Sequence, residues 1–216
     1  MATENKSMPL RHYTSIDSLF NILDTSCLLL SNPEKWDDKN DYEGVRVFGS
    51  LKGKGTARVL SFANGEESIH HWEAFDKDKN GCSCSISFDR DEILKQTILK
   101  QTKDDNFLRK GMNYKQGITA KELKSIDDDE IPFLKRNQFK CESEFRIIWF
   151  GKGEAPKISF KREAIKRITL SPKIPDAERE KLQDKIEKKY GIRPVLSRVL
   201  EDSAWIRMLN QLGKKR

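Results

Sequence analysis

The chain has 216 residues, of which 36% are apolar and 35% are charged. Its 41 lysines and arginines exceed its 34 acidic residues, which gives a formal net charge of +7. Eleven phenylalanines, four tryptophans and four tyrosines supply enough apolar area for a core, so the composition excludes an intrinsically disordered chain.

The sequence shows neither a membrane span nor a secretory signal, and its cysteines follow no known pairing pattern. No apolar run approaches the roughly 20 residues that cross a bilayer, and the polar segment 1–8 lacks the apolar stretch of a secretory signal. No CxxC zinc pair or disulfide framework is visible among the four cysteines, which are Cys27, Cys82, Cys84 and Cys141. We therefore expect a reduced, cytoplasmic protein with no membrane partner and no metal site.

The first half of the chain predicts short strands alternating with helices. A strand at 10–13 leads to Ser15, a suitable N-cap, after which apolar residues recur at helical spacing, namely Ile16, Leu19, Phe20 and Leu23. A short strand at 27–30 is followed by a break at Asn32-Pro33 and an acidic loop that runs to Glu43. A strand at 57–62, a helix at 66–75 and an alternating strand at 82–88 follow.

The second half predicts helices at 91–101 and 176–190, strands at 139–150 and 166–170, and polar, partly helical chain at 103–129. A strand or extended segment at 195–200 precedes a short last helix that Asp202 would cap. This irregular mixture predicts an α+β fold with a twisted mixed or antiparallel central sheet flanked by helices. We expect a disordered N-terminus at 1–8, a single domain at 9–212 and a basic tail at 213–216.

Two carboxylates on the predicted strand 139–150 form the main candidate site. Glu142 and Glu144 are two residues apart, so both would project from one face with their Cα atoms roughly 6.6 Å apart. In a cleft shielded from water, such a pair would raise each other's pKa. The alternative is an exposed ladder of alternating charge in which Lys140 and Arg146 neutralise the two glutamates.

The three histidines and the early acidic loop are further places where chemistry could reside. His12 ends the first predicted strand, where a histidine is more often a hydrogen-bonded structural residue than a catalytic one. His70 and His71 are adjacent on a predicted helix, so their side chains diverge by about 100° and do not form a metal pair. The aspartates of the acidic loop leave a metal-dependent hydrolase or nuclease open, since they could join Glu142 and Glu144.

Several segments resemble, in order, an uncharacterised family known as domain of unknown function 2971. They are LRHYTS at 10–15, LSNP at 30–33, the tryptophan and aspartates at 36–38, HW at 71–72, FLKR at 133–136 and ESEFRI at 142–147. Where that family has Asn-Asp-Pro in the early loop, this chain has Asp37-Asp38-Lys39.

A strand ending in histidine, then Tyr-Thr, a short helix and a later Glu-x-Glu are more distantly similar to the ADP-ribosyltransferase-like fold. The resemblance implies that NAD is the co-substrate and that His12 holds its adenosine-side ribose, with Tyr13 as a weaker stacking candidate. It further implies that Glu144 hydrogen-bonds the nicotinamide ribose and that Glu142 orients the acceptor nucleophile. No metal is needed for this chemistry.

Three functional hypotheses follow. The first is an NAD-dependent ADP-ribosyltransferase, in the role of a bacterial toxin or phage-defence effector. The second is a nucleic-acid-binding module without catalysis, which the excess of lysine and arginine after residue 152 favours. The third is the metal-dependent hydrolase or nuclease. The expected partner is anionic, either NAD or nucleic acid, and the oligomeric state stays open.

Overall fold

The computed structural model describes residues 8–53, 56–75, 83–99 and 106–213. Its strands are β1 (Leu10–Ser15), β2 (Cys27–Leu28), β3 (Thr56–Ala63), β4 (Ser83–Phe88), β5 (Asn106–Gly111), β6 (Asn113–Lys115), β7 (Leu134–Arg136), β8 (Glu144–Gly151), β9 (Ile158–Ser159), β10 (Ile165–Leu170) and β11 (Val195–Leu196). Its α-helices are α1 (Ile16–Thr25), α2 (Lys39–Leu51), α3 (Ile69–Phe75), α4 (Arg90–Leu99), α5 (Ala120–Lys124), α6 (Asp176–Tyr190) and α7 (Ser203–Gly213). Short 3-10 helices cover Pro33–Lys35, Asp128–Phe133, Asn137–Glu142 and Arg162–Ala164.

A seven-stranded sheet in the order β11-β10-β4-β1-β3-β8-β5 organises the fold. Its neighbouring strands are antiparallel except for β10 and β11, which are parallel, so the sheet is mixed. β8 pairs along its length with β3 on one side and with β5 on the other. All eight of its residues are buried, which makes it the most enclosed strand of the site region.

Side chains alternate between the two faces of this sheet, and each face has its own core. On what we call the first face, residues such as Phe62, Phe145 and Ile147 pack with α1, α4 and α6 in the larger apolar core. On the second face, a smaller core joins α2 to β8 through residues such as Phe48 and Phe150. The register pairs Ser61 with Arg146 and Ala63 with Glu144, so charged residues also occupy this second face.

The α+β fold with a mixed central sheet flanked by helices is confirmed. The predicted strand 139–150 is wrong in its first half, because Asn137–Glu142 is a 3-10 helix and the strand begins at Glu144. Ser143 makes the change of direction with a positive φ of 43°. The predicted acidic loop is also wrong in part, since α2 begins at Lys39 inside it.

Several predictions lie wholly or partly outside the described residues, among them the ends of the helix 91–101 and of the polar stretch 103–129. Cys82 falls in an undescribed stretch, whereas Cys84 is fully buried in the larger core, as a strand residue should be. Residues 1–7 and 214–216 are likewise not described, so the boundaries proposed for the N-terminus and the basic tail stay predictions. Within the described ranges, no helix combines the length and the apolar character needed to cross a membrane.

Candidate functional site

The two central strands β1 and β3 part from each other and leave a cleft. Their register holds one pair, Arg11 with Ala63, beyond which the strands diverge. The resulting cleft has a volume of about 370 Å³, within the range of small-molecule sites. Its walls come from β1, β3, α1 and the chain that follows β2, namely His12, Tyr13, Thr14, Ser18, Asn21, Ile22, Leu29, Ser31, Trp36, Val59, Leu60 and Ser61.

His12 is a neutral, oriented side chain at the edge of this cleft. It lies on the first face, where its ring meets Phe62 edge-on at 5.8 Å between centroids. Its Nδ1 is 3.1 Å from the carbonyl oxygen of Ser61, and a carbonyl only accepts, so Nδ1 carries the hydrogen. Burial lowers the pKa of His12, although the bond to Ser61 opposes that effect. The neutral imidazole therefore keeps Nε2 as a hydrogen-bond acceptor.

Trp36 is better placed than Tyr13 to stack on a planar ligand. Tyr13 is 6% exposed, and its ring packs against Trp72 at 5.0 Å and against His71 at 5.2 Å. Burial raises the pKa of the Tyr13 hydroxyl, so it stays protonated. Trp36, by contrast, is half-buried, lines the cleft and lies over the guanidinium of Arg146 at 4.8 Å.

Next to the cleft, on the second face, three acidic and two basic side chains form what we call the carboxylate cluster: Asp41, Lys135, Glu142, Glu144 and Arg146. Arg146 is 1% exposed and binds two carboxylates at once. Its Nε donates to Glu144 Oε1 at 2.7 Å and its Nη2 to Glu144 Oε2 at 2.9 Å. Its Nη1 donates to Asp41 Oδ1 at 2.7 Å, and Nη2 also donates to Asp41 Oδ2. Both carboxylates are thus held in two-pronged bonds.

Lys135 connects the remaining carboxylate to this group. Its ammonium donates to Glu142 Oε2 at 2.5 Å and to Glu144 Oε2 at 2.9 Å, and lies 3.4 Å from Asp41 Oδ2. Burial would lower the pKa of Lys135, but Glu144 and Asp41 raise it above its usual value. The lysine therefore stays charged although its side chain is only 8% exposed.

The surroundings separate the pKa values of the two glutamates. Burial favours the neutral form of Glu144, but Arg146 and Lys135 outweigh it and lower the pKa of Glu144 to about 2. Burial raises the pKa of Glu142 above its usual value, and the single bond from Lys135 offsets only part of that effect. Divergent pKa values in neighbouring carboxylates are typical of an acid–base site. With all groups ionised, three carboxylates face two cations, so the carboxylate cluster carries a net charge of −1.

Local structure holds each glutamate in place. His71, which is 2% exposed on α3, lies with its Nε2 2.9 Å from the backbone carbonyl oxygen of Glu142. The hydroxyl of Tyr114 on β6 accepts a hydrogen bond from the backbone N–H of Glu144 at 2.8 Å. His71 and Tyr114 thereby fix the junction between the 3-10 helix Asn137–Glu142 and β8.

The cleft and the carboxylate cluster are joined at two residues. By register, His12 and Glu144 lie on opposite faces of the sheet, and neither glutamate lines the cleft, so the expectation that His12 and Glu144 both contact the riboses of one dinucleotide is not supported by their placement. Ser61 lies between them, because its carbonyl oxygen is 3.1 Å from His12 Nδ1 and its side chain shares the second face with Arg146, where it helps to lower the pKa of Glu144. Trp36 forms the second link through its contact with Arg146.

A second cavity, of about 390 Å³, adjoins the carboxylate cluster. Lys135 and Asp41 line it, and Lys115 and Arg136 supply further cations. Two members of the carboxylate cluster therefore border this second cavity.

The structure brings Glu142 and Glu144 together, although not as two positions of one strand. Both bind Lys135 from different elements, so the predicted exposed ladder with Lys140 is wrong. Sequence reasoning missed Lys135, Trp36 and Ser61 as site residues. Lys135 and Trp36 belong to segments that carried the family resemblance, whereas nothing in the sequence pattern marks Ser61.

The described residues contain no group of three or more histidine, cysteine or acidic side chains arranged to hold a metal ion. Asp41, Glu142 and Glu144 converge, but the ammonium of Lys135 and the guanidinium of Arg146 occupy the space between their oxygens. This arrangement does not favour the metal-dependent hydrolase.

Comparisons with known proteins give distant structural likenesses. The fold is similar to two solved structures of Thermus sp. 2.9 DarT, one in complex with NAD+ and one in complex with carba-NAD+. The TM-scores are 0.42 and 0.41, with 13% identity over 90% of this chain and 96% of the other in both cases. No family model and no curated protein matches the sequence, so membership of domain of unknown function 2971 stays a prediction. The function is therefore argued from this chain's own residues.

Removing the guanidinium of Arg146 should destabilise the protein strongly. The substitution Arg146→Met leaves Asp41 and Glu144 buried without their cation, which costs about 3–5 kcal/mol of unfolding free energy in comparable sites. Urea unfolding at neutral pH measures this change. Arg46→Met is the matched control, because Arg46 pairs with Glu43 at the surface and its loss should leave the midpoint almost unchanged. Equal effects of the two substitutions would contradict the structural role of Arg146.

Stability should depend on pH through Glu144. Its pKa is about 2 in the folded protein and near 4.5 without these contacts, so its ionisation stabilises the fold above pH 4.5. That contribution is lost as the pH falls from about 4.5 to about 2. Chemical unfolding of wild type and Glu144→Gln over this range should give two curves that converge at low pH. A constant difference between the curves would contradict the lowered pKa.

Proposed function

We propose that the chain is an NAD-dependent ADP-ribosyltransferase-like enzyme that binds NAD in the cleft between β1 and β3. The observation that carries this proposal is the position of the cleft beside two carboxylates with divergent pKa values. A ligand cleft next to a buried group of net negative charge suits a reaction that develops positive charge on a sugar.

The lining of the cleft suits a nucleotide. Hydroxyl and amide groups from Ser18, Asn21, Ser31 and Ser61 can exchange hydrogen bonds with ribose hydroxyls. His12 offers Nε2 as an acceptor for the adenosine-side ribose, which keeps the role that the sequence resemblance implied. Trp36 takes over the stacking role from Tyr13, because Trp36 is half-buried at the cleft whereas the ring of Tyr13 is packed against Trp72 and His71.

In the proposed reaction, the bond between the ribose C1 and the nicotinamide nitrogen breaks, and its electron pair leaves with nicotinamide. The oxocarbenium ion that develops on the ribose is stabilised by the net charge of −1 on the carboxylate cluster. The acceptor nucleophile then attacks C1 and gives its proton to Glu142. Glu144 is already bound by Arg146 and Lys135, so it acts on the ribose through its charge.

The second cavity gives the acceptor a route to Glu142. It is lined by Lys135, whose ammonium is 2.5 Å from Glu142 Oε2, and it shares no lining residue with the cleft. NAD and the acceptor would thus occupy separate cavities beside the carboxylate cluster.

The described residues give less support to the hypothesis of a nucleic-acid-binding module. Several cations that favoured a nucleic-acid-binding module are paired with acids, as in the pairs Lys166–Asp89, Lys189–Asp24 and Arg193–Glu187. Nucleic acid as a partner and a role as a toxin or phage-defence effector stay predictions.

Glu142→Gln should slow the reaction without weakening NAD binding. Loss of the general base costs about 10²–10⁴-fold in rate, whereas Glu142 does not line the cleft, so the Kd for NAD should stay within about twofold. Nicotinamide release measured by chromatography gives the rate, and calorimetry gives the Kd. Glu154→Gln, at an exposed position, is the control. Unchanged turnover in Glu142→Gln, or no cleavage of NAD by wild type with any acceptor or lysate, would overturn the proposal.

Replacing Trp36 should weaken the binding of NAD, which replacing Glu142 should leave unchanged. Trp36→Ala removes an aromatic ring, whose stacking on a base is worth about 1–3 kcal/mol, so the Kd for NAD should rise roughly tenfold or more. Trp36→Phe should keep most of the affinity. Calorimetric titration with NAD distinguishes the two, with the thermal midpoint of each variant as the folding control. Equal affinity in Trp36→Ala and wild type would place NAD elsewhere.

A further inference from the structure

The side chains of the last helix, α7, are exposed along nearly its whole length. Asp202 caps it, since its Oδ1 accepts from the backbone N–H of Ala204 at 2.8 Å and from that of Trp205 at 3.2 Å. Every residue from 204 to 212 is exposed. The helix is therefore formed and capped but buries none of these side chains against the domain.

Four large apolar residues form a continuous stripe along α7. They are Trp205, Met208, Leu209 and Leu212, at positions i, i+3, i+4 and i+7, with 59%, 52%, 50% and 63% of their surface exposed. Ile206 lies beside them and is 41% exposed. A contiguous apolar stripe of this kind marks an interaction surface.

The stripe is symmetric about the midpoint between Met208 and Leu209. In two antiparallel copies of α7 crossing at that point, Met208 of each copy faces Leu209 of the other, and Trp205 faces Leu212. In the sequence, the acidic Glu201 and Asp202 precede the helix and the basic Lys214, Lys215 and Arg216 follow it. The segments on either side of the helix are therefore opposite in charge, which suits an antiparallel pair.

We propose that α7 docks on α7 of a second copy of this chain, antiparallel, around a two-fold axis between Met208 and Leu209. Such an isologous contact uses the same surface twice, so the surface must be complementary to itself. The palindromic order of apolar and charged residues meets that requirement.

The same features disfavour the two other occupants of the stripe. A helix that lies on a lipid surface carries many lysines and arginines on its polar face, whereas the polar face of α7 has one cation, Arg207, and the basic residues Lys214, Lys215 and Arg216 come only after the helix in the sequence. A groove on a different protein would need no symmetry in the stripe. One helix of 11 residues is about 16 Å long, so the contact is small and the dimer is weak and concentration-dependent.

A charge exchange across the two-fold axis tests the proposal. Sedimentation equilibrium of the full chain should show a mass that rises from 25.1 kDa towards twice that value with concentration. Met208→Glu and Leu209→Lys should each abolish this rise, because each places two like charges at the axis beside apolar side chains. The double variant should dimerise again, because the introduced carboxylate of one copy then faces the introduced ammonium of the other, and this dimer should weaken with salt. Leu123→Glu, at an exposed leucine of α5, should dimerise like wild type.

Other outcomes would overturn the proposal. They are a wild type that stays monomeric at every concentration, single variants that still dimerise, and a double variant that keeps its helical circular dichroism but stays monomeric. Co-sedimentation of a monomeric wild type with phosphatidylserine vesicles, lost in the single variants, would assign the stripe to a lipid surface instead.

Discussion

The buried guanidinium of Arg146 is the interaction on which the arrangement of the site depends. It lies on a central strand, 1% exposed, and its donors bind Glu144 from the same strand and Asp41 from the first turn of α2. A charge buried this deeply is tolerated only when it is paired and hydrogen-bonded. Arg146 therefore determines where α2 begins relative to the sheet.

The other side chains of the site are arranged around the contacts of Arg146 with Glu144 and Asp41. The three carboxylates are bound by two cations, of which Lys135 on β7 is the second. Because Lys135 contacts Glu142 as well as Glu144, β7 lies next to the 3-10 helix that precedes β8. Glu144 is held ionised, while Glu142, with fewer donors, keeps a raised pKa. The ionic contacts that stabilise the fold thus also give the two glutamates different chemistry.

The cleft arises from the way the strands pair in the sheet, and not from the ionic contacts of the carboxylate cluster. β1 is fully paired with β4 on one side, but its register with β3 holds at Arg11 and Ala63 alone. The parting of β1 and β3 exposes polar backbone and side chains in the middle of the domain, and His12 and Trp36 frame that opening. Ser61 belongs to both the cleft and the carboxylate cluster, which makes β3 the element that connects binding to chemistry.

The sequence predicted most helices and strands and part of the candidate site, and the errors have physical causes. Alternation and helical spacing predicted most elements, including the helix from Asp176 to Tyr190 and the cap at Asp202. Alternation failed at 139–143 because it rested there on two apolar residues, Phe139 and Cys141, which are too few to distinguish a strand from one turn of 3-10 helix. The positive φ of Ser143 separates this helix from β8. Asp41 was noticed as part of an acidic loop, but its partner Arg146 is 105 residues away in sequence, and no local pattern predicts such a contact. The parting of β1 and β3 is a property of tertiary register and has no sequence signal.

The central claim is that NAD occupies the opening between β1 and β3, beside the carboxylate cluster. Hydrogen–deuterium exchange of the full chain with and without NAD tests this most directly. The account predicts that NAD slows exchange in peptides covering 12–14, 31–36 and 59–61 and leaves α6 and α7 unchanged. Protection confined to other segments, or none at saturating NAD, would contradict it.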